Sequence, residues 1–163
     1  MGTSKALLDW RGQPLIVAHC LAMASAGGRV VVVLGCDSKR IEPLLPDGAE
    51  VRVNPNWRHT DMAASLRIGL GAIVGRVLIT PVDVPPTPND VLHTLLQADA
   101  PAVLAYQGQP GHPVMVDAET TLLGLTEGPL NTAIAGARRV ETPWAGAIRT
   151  WNTPAEWADQ SPA

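Results

Sequence analysis

Residues 78–88, LITPVDVPPTP, bring a single carboxylate, Asp83, out of an apolar run and then stiffen the exit with Pro85, Pro86 and Pro88. An acid held between Pro81 and Pro85 is a fixed charge with few conformations open to it. Magnesium usually takes one or two protein carboxylates and completes its shell with substrate phosphates and water. The segment therefore suits a Mg²⁺–phosphate site, which needs a positioned acid more than a closed cage. The same residues equally suit a carboxylate that caps the following turn or helix.

Other segments could contribute polar groups. MGTSKALLDWRGQPL places Gly2 ahead of Lys5 in a loop that runs towards a helix, like half of a phosphate cradle. GxxxxGK[ST] is absent, so it is not a P-loop, and Lys5 alone also fits a solvated surface charge. NPNWRHTDMAASLRIGL, residues 54–70, joins a strand end to a helix whose first turns carry Ser65 and Leu66. These could face a ligand, or the segment could be a capped helix with Trp57 as a packing plug. GHPVMV sets His112 in a turn before a strand, where a histidine is as readily structural as catalytic.

The elements around these residues alternate in type. Helical spacing covers 14–26, with Pro14 at the start and Gly27-Gly28 as the stop. RVVVVLG (29–35) is a continuous β-branched run, as in a strand covered on both faces. A short helix over 38–45, capped by Asp37 or Ser38, and a strand at 51–54 follow. A helix is expected at 61–73, a strand at 76–80, a helix at 88–98, and strands at 102–106 and 112–117 around QGQPG. Strand–helix–strand repetition predicts an α/β layered, Rossmann-like sheet of mostly parallel strands. Ligands of such sheets gather beyond the carboxyl ends of the strands, which is where Asp83 falls.

The totals fit this reading. A chain of 163 residues is most simply one domain, and a mean hydropathy of +0.11 suits a water-soluble globule. No apolar run approaches the roughly 20 residues that span a bilayer, and no secretory leader is visible, which predicts a cytoplasmic protein. A net charge of −3 and a pI near 5.7 argue against a nucleic-acid partner. Cys20 and Cys36 lack CxxC spacing and are expected to be free thiols.

Six blocks, MGTSKALLDWRGQPL, VVVVLG, NPNWRHTDMAASLRIGL, LITPVDVP, GHPVMV and WNTPAEW, occur in the order and spacing of MobA-like nucleotidyltransferases. The chain most resembles the branch that includes molybdenum cofactor cytidylyltransferase. The resemblance covers about residues 1–160 as one domain, with 161–163 as a tail. It implies a three-layer nucleotidyltransferase fold that uses Mg²⁺ and a nucleoside triphosphate. The phosphate of molybdopterin cofactor would attack the α-phosphorus, and pyrophosphate would leave. By the match, Asp83 would hold Mg²⁺, and Lys5, with Gly2, would steady phosphate charge. Asn54, Ser65 and Leu66 would border the nucleotide; Gly111, His112 and Pro113 would line the acceptor side. The Ser65-Leu66 and Gly69-Leu70 pattern resembles the cytidylyl branch, favouring CTP over GTP.

Departures from the family pattern qualify these expectations. Relatives precede the lysine with a strand and a loop of the type LAAGxSxRMG, of which this sequence carries only the final Met-Gly. The resemblance therefore implies a sheet without its first strand, low activity for this chain, and dependence on a partner to cover the gap. Relatives close with DxDTPED, where this chain has TWNTPAEW, so Asn152 would ligate metal without charge or else cap the helix that follows. Asp61-Met62 stands where relatives carry Gly-Met. The block EGPLNTAIAG lacks their arginine, leaving Arg138 and Arg139 as nearby positive charges. Two further readings follow: a non-catalytic cofactor- or nucleotide-binding relative that assists molybdoenzyme maturation, and a transferase with another phosphorylated acceptor such as a sugar phosphate.

Overall fold

The computed structural model describes residues 4–126 and 128–158. Lys5–Leu7 form a 3-10 turn, followed by β1 (Asp9–Trp10), β2 (Gln13–Pro14) and α1 (Leu15–Ser25). Next come β3 (Val31–Leu34), α2 (Ser38–Ile41), β4 (Glu50–Val53), α3 (Met62–Leu70), β5 (Arg76–Ile79) and α4 (Asn89–Leu96). The chain continues through β6 (Ala102–Tyr106), β7 (Gln109–Asp117), α5 (Ala118–Gly124), α6 (Leu130–Ala133) and β8 (Arg138–Glu141). A 3-10 turn over Ala145–Ile148 and α7 (Pro154–Ala158) complete it.

The fold is mixed α/β, and its sheets correct the expectation of mostly parallel strands. β3 pairs with β4 in parallel, and a four-stranded sheet runs β5-β7-β6-β8. Within that sheet β7 is antiparallel to both β5 and β6, while β6 and β8 are parallel. The reason is a tight turn. Tyr106 pairs with Gln109, so only Gln107 and Gly108 lie between β6 and β7, and both have positive φ (50° and 78°). A two-residue loop of that kind joins antiparallel strands and cannot make a parallel crossover. Arg11 and Gly12 (φ 53° and 88°) close the β1–β2 hairpin in the same way.

Helix ends follow from local chemistry. Asp61 caps α3 by accepting from the Ala64 N–H at 2.9 Å, and Asp117 caps α5 from Thr120 at 2.9 Å. Asp61 thus has a structural role. Arg52 reaches from β4 to the last carbonyls of α3, those of Ile68, Gly69 and Gly71. Those oxygens carry the helix's partial negative charge.

Among the described residues no strand pairing links β3–β4 to the larger sheet; helices connect them. α3 lies against β3 through Gly69, where an added Cβ would come within 2.8 Å of Val33. Its Ala63 and Leu70 also belong to an apolar cluster with Val77 and Ile79 of β5. Leu95, Leu104 and Met115 fill the core between α4 and the sheet. Each such side chain contributes about 1.5–3 kcal/mol by leaving water. No helix is long and apolar enough to cross a membrane among the described residues.

Candidate active site

Asp83 follows β5 at the end where the chain leaves the sheet, and its carboxylate is about one-third exposed. It does not cap α4, whose N-cap is Pro88 with no side-chain hydrogen bond. Instead its Oδ2 accepts from Lys5 Nζ at 3.1 Å. The same ammonium donates to Asn152 Oδ1 at 3.0 Å. Three groups separated by 78 and 147 positions therefore meet at one point.

Three sets of contacts hold them there. His19 of α1 is buried and donates through Nε2 to the Val84 carbonyl at 3.0 Å, fixing the backbone beside Asp83. Burial pushes its pKa down to about 4, with the Val84 and Val82 carbonyls and the Asp83 carboxylate opposing the shift. The neutral ring keeps its proton on Nε2, and Nδ1 has no partner among the described residues.

The second set is aromatic. Trp151 is buried between Trp10 and Trp157, with ring centroids 5.3 Å and 4.7 Å away. This packing pins the segment carrying Asn152 to the β1–β2 hairpin, which lies directly after Lys5. The third set frees Asn152 from capping duty. Thr153 Oγ1 accepts from the Glu156 N–H, and Glu156 Oε2 accepts from the Thr153 and Asn152 N–H groups. Thr153-Pro154-Ala155-Glu156 is a capping box with proline at the first helical position. Those N–H contacts hold the Glu156 carboxyl below its usual range. The cap of α7 is thus Thr153, and the Asn152 amide oxygen is turned to Lys5.

The other expected residues fall into two groups. Asn54 is buried after β4; its Nδ2 donates to Thr60 Oγ1 at 2.9 Å and Ser65 Oγ at 3.1 Å, and its Oδ1 accepts from the Asn56 N–H. Ser65 is tied into this network, while Leu66 packs on the apolar cluster beside β5. These three organise the loop and helix of residues 54–66. Trp57 covers Gly35, where any Cβ would come within 2.7 Å of the indole side chain. Gly2 lies outside the described residues.

Gly111, His112 and Pro113 lie in the first half of the long strand β7, and the first two line a cleft of about 480 Å³. Asn131 and Ile134 from the α6 region, Arg139 of β8 and Thr150 complete its walls; sequence reasoning marked only Arg139 among these. Gly111 is required by contact, because a Cβ there would sit 1.9 Å from the Ala147 carbonyl oxygen. Pro113 is fully buried. Burial lowers the His112 pKa while the nearby Asp83 carboxylate raises it, and its buried Nδ1 has no partner among the described residues. The cleft and the Asp83 centre therefore share His112 as a common neighbour.

The donor set fits a divalent ion. Asp83 and Asn152 offer two hard oxygens that already converge on one cation, the Lys5 ammonium. No group of three His, Cys, Asp or Glu side chains converges among the described residues, so most ligands would come from phosphate and water, as Mg²⁺ favours.

The MobA-like NTP transferase domain family matches residues 1–145. No curated protein matches the chain. Among solved structures, a nucleotidyl transferase from Methanothermobacter thermautotrophicus superposes with a TM-score of 0.77 at 24% identity, over 96% of this chain and 82% of that one. Rv0371c from Mycobacterium tuberculosis superposes with a TM-score of 0.73 at 22% identity, over 87% and 80%. Its complex with manganese gives a TM-score of 0.75 at 20% identity, over 96% and 91%. These likenesses establish a shared fold. With 145 matched residues spanning every element from the Lys5 turn to β8, the chain belongs to the MobA-like NTP transferase family.

Proposed function

We propose that the chain transfers a nucleoside monophosphate, CMP in preference to GMP, from a nucleoside triphosphate to the phosphate of molybdopterin cofactor. The observation that carries this reading is the meeting of Asp83, Asn152 and Lys5 at a strand exit beside the His112 cleft. A nucleotidyl transfer asks for little covalent chemistry from the protein; it asks for alignment and charge neutralisation.

In this mechanism an acceptor phosphate oxygen attacks the α-phosphorus and a new P–O bond forms. The bond to the bridging oxygen breaks, and its electron pair leaves with pyrophosphate. Asp83 and Asn152 would hold Mg²⁺, which when bound neutralises triphosphate charge. Lys5 steadies negative charge building on the leaving pyrophosphate. The loop that Asn54 and Ser65 organise borders the nucleotide through its backbone. Gly111 and His112 form the acceptor wall, with Pro113 buried behind them and Arg139 and Asn131 facing the same cleft. A mycobacterial protein of the same fold is known as a complex with manganese, which supports a divalent ion as the cofactor here.

A second reading is favoured by the neutral Asn152 in a position that relatives fill with a carboxylate. There the chain binds nucleotide or cofactor and assists a molybdoenzyme partner without turning over. A different phosphorylated acceptor, such as a sugar phosphate, is the remaining variant. In each case the substrates are small molecules and the setting is the cytoplasm.

Incubating the chain with Mg²⁺, CTP or GTP, and molybdopterin cofactor, with mass detection of the dinucleotide, separates these readings. Dinucleotide and pyrophosphate in equal amounts, lowered about 10²- to 10³-fold in Asp83→Asn, is the expected result. Nucleotide binding without any product would favour the second reading once a sugar phosphate offered in place of the cofactor also gives none, and unchanged turnover in Asp83→Asn would remove that residue from the mechanism.

A further inference from the structure

We propose that Lys5 is the resident counter-ion of the Asp83–Asn152 oxygen pair, and that a divalent cation entering this pair displaces its ammonium towards the nucleotide phosphates. The proposal rests on the reading of Asp83 and Asn152 as metal ligands.

Lys5 Nζ donates to Asp83 Oδ2 at 3.1 Å and to Asn152 Oδ1 at 3.0 Å, so it already occupies the cation position of the pair. The pair carries one negative charge at most, because the Asn152 amide is neutral. An ammonium and a dication together would bring +3 against −1, and like charges a few ångströms apart repel strongly in a half-buried site. One of them has to leave.

The backbone that carries the two oxygens is the fixed part. The Asp83 carbonyl accepts from the Trp151 N–H at 2.7 Å, and the adjoining Val84 carbonyl accepts from His19 at 3.0 Å. Asn152 is held through its N–H by Glu156 and through its neighbour Trp151 by two further indoles. Lys5 instead reaches the site on a four-carbon stem from a short 3-10 turn, and such a stem re-aims at low cost. Cation entry therefore moves the lysine and leaves the ligands in place.

A functional consequence follows. Without the ion, the ammonium is engaged by Asp83 and is not free for phosphate. With the ion, Lys5 is released just where the triphosphate arrives. Binding is ordered by this exchange, with the ion or the ion–nucleotide complex favoured over free nucleotide. Removing the Lys5 charge should affect the bare ion and the ion–nucleotide complex in opposite directions.

The test is calorimetric titration of the full chain with Mn²⁺ alone and with Mn²⁺–CTP, for wild type, Lys5→Met and Lys5→Gln. Near-ultraviolet circular dichroism of the tryptophans verifies the fold. Both variants should bind Mn²⁺ alone about tenfold more tightly and Mn²⁺–CTP about tenfold more weakly. Bare Mn²⁺ binding at wild-type strength or weaker in the folded variants overturns the proposal. Asp83→Asn, titrated in parallel, should lose Mn²⁺ binding. If it does while the lysine variants show no tightening, the exchange is wrong and the metal reading stands. If Asp83→Asn binds Mn²⁺ unchanged, both fail.

Discussion

Trp151 donates its backbone N–H to the carbonyl of Asp83 at 2.7 Å, joining the exit of β5 to the last segment of the chain. This contact makes the geometry of the candidate centre depend on aromatic packing some distance from it. Trp151 is the largest fully buried side chain, and Trp10 and Trp157 pack on its ring.

Trp151→Ala is expected to lower stability by about 3–5 kcal/mol, as for other large-to-small changes in a core. Trp151→Phe should cost clearly less, because it keeps a ring and removes an indole N–H that has no partner among the described residues. Denaturant melts of the two variants measure the difference. Equal losses would mean that ring packing is not what holds the segment.

His19 makes stability depend on pH with a definite sign. Its folded pKa of about 4 lies below the ordinary 6.5, so between those values the unfolded chain binds a proton that the folded chain does not. Its contribution is present in full above pH 6.5 and is lost as pH falls towards 4, about 3 kcal/mol over the window. His112, also lowered by burial, acts in the same direction. His19→Gln retains a donor for the Val84 carbonyl and should flatten the dependence, as read from denaturant midpoints at pH 7 and pH 5.

Gly111→Ala forces a methyl group into the Ala147 carbonyl, 1.9 Å from the ideal Cβ position. The backbone of β7 or of the 145–148 turn must move, at about 1–3 kcal/mol. Because Gly111 lines the cleft, acceptor KM should rise more than nucleotide KM. The reverse order in steady-state kinetics would detach Gly111 from the acceptor side.

Asn54→Ala removes the side chain that links Thr60, Ser65 and Asn56. Loss of a buried network of this size costs about 1–3 kcal/mol. Hydrogen exchange should quicken across residues 55–66 while β6 and β7 remain protected. Unchanged exchange in that loop would show that Asn54 does not order it.

Much of the fold was legible because buried apolar runs and proline or glycine stops are local signals. VVVVL is a strand, PLIVAHCLAMAS is a helix entered through Pro14, and both lie within a few residues of their expected bounds. β8 was missed because Arg138-Arg139-Val140-Glu141 is an edge strand, paired among the described residues only to β6 and carrying the charges that such edges tolerate. The β1–β2 hairpin was missed because each strand has two residues and only the Arg11-Gly12 turn marks it.

At the site, Asp83 could be singled out from its place at a strand exit between prolines. The roles of Asn54 and His19 could not, since each depends on partners brought together by folding; His19 meets Val84 across 65 positions. That Asn152 does not cap the helix that follows was partly written in the sequence. Thr153 and Glu156 form a capping box that leaves the preceding asparagine free.

The central claim is tested most directly by the anomalous scattering of manganese in crystals of the chain grown with Mn²⁺ and CTP. The account predicts a peak about 2.2 Å from an Asp83 carboxylate oxygen, next to the triphosphate, with Lys5 Nζ moved from Asp83 to a phosphate. A peak elsewhere, or nucleotide bound while Lys5 still holds Asp83, would contradict it.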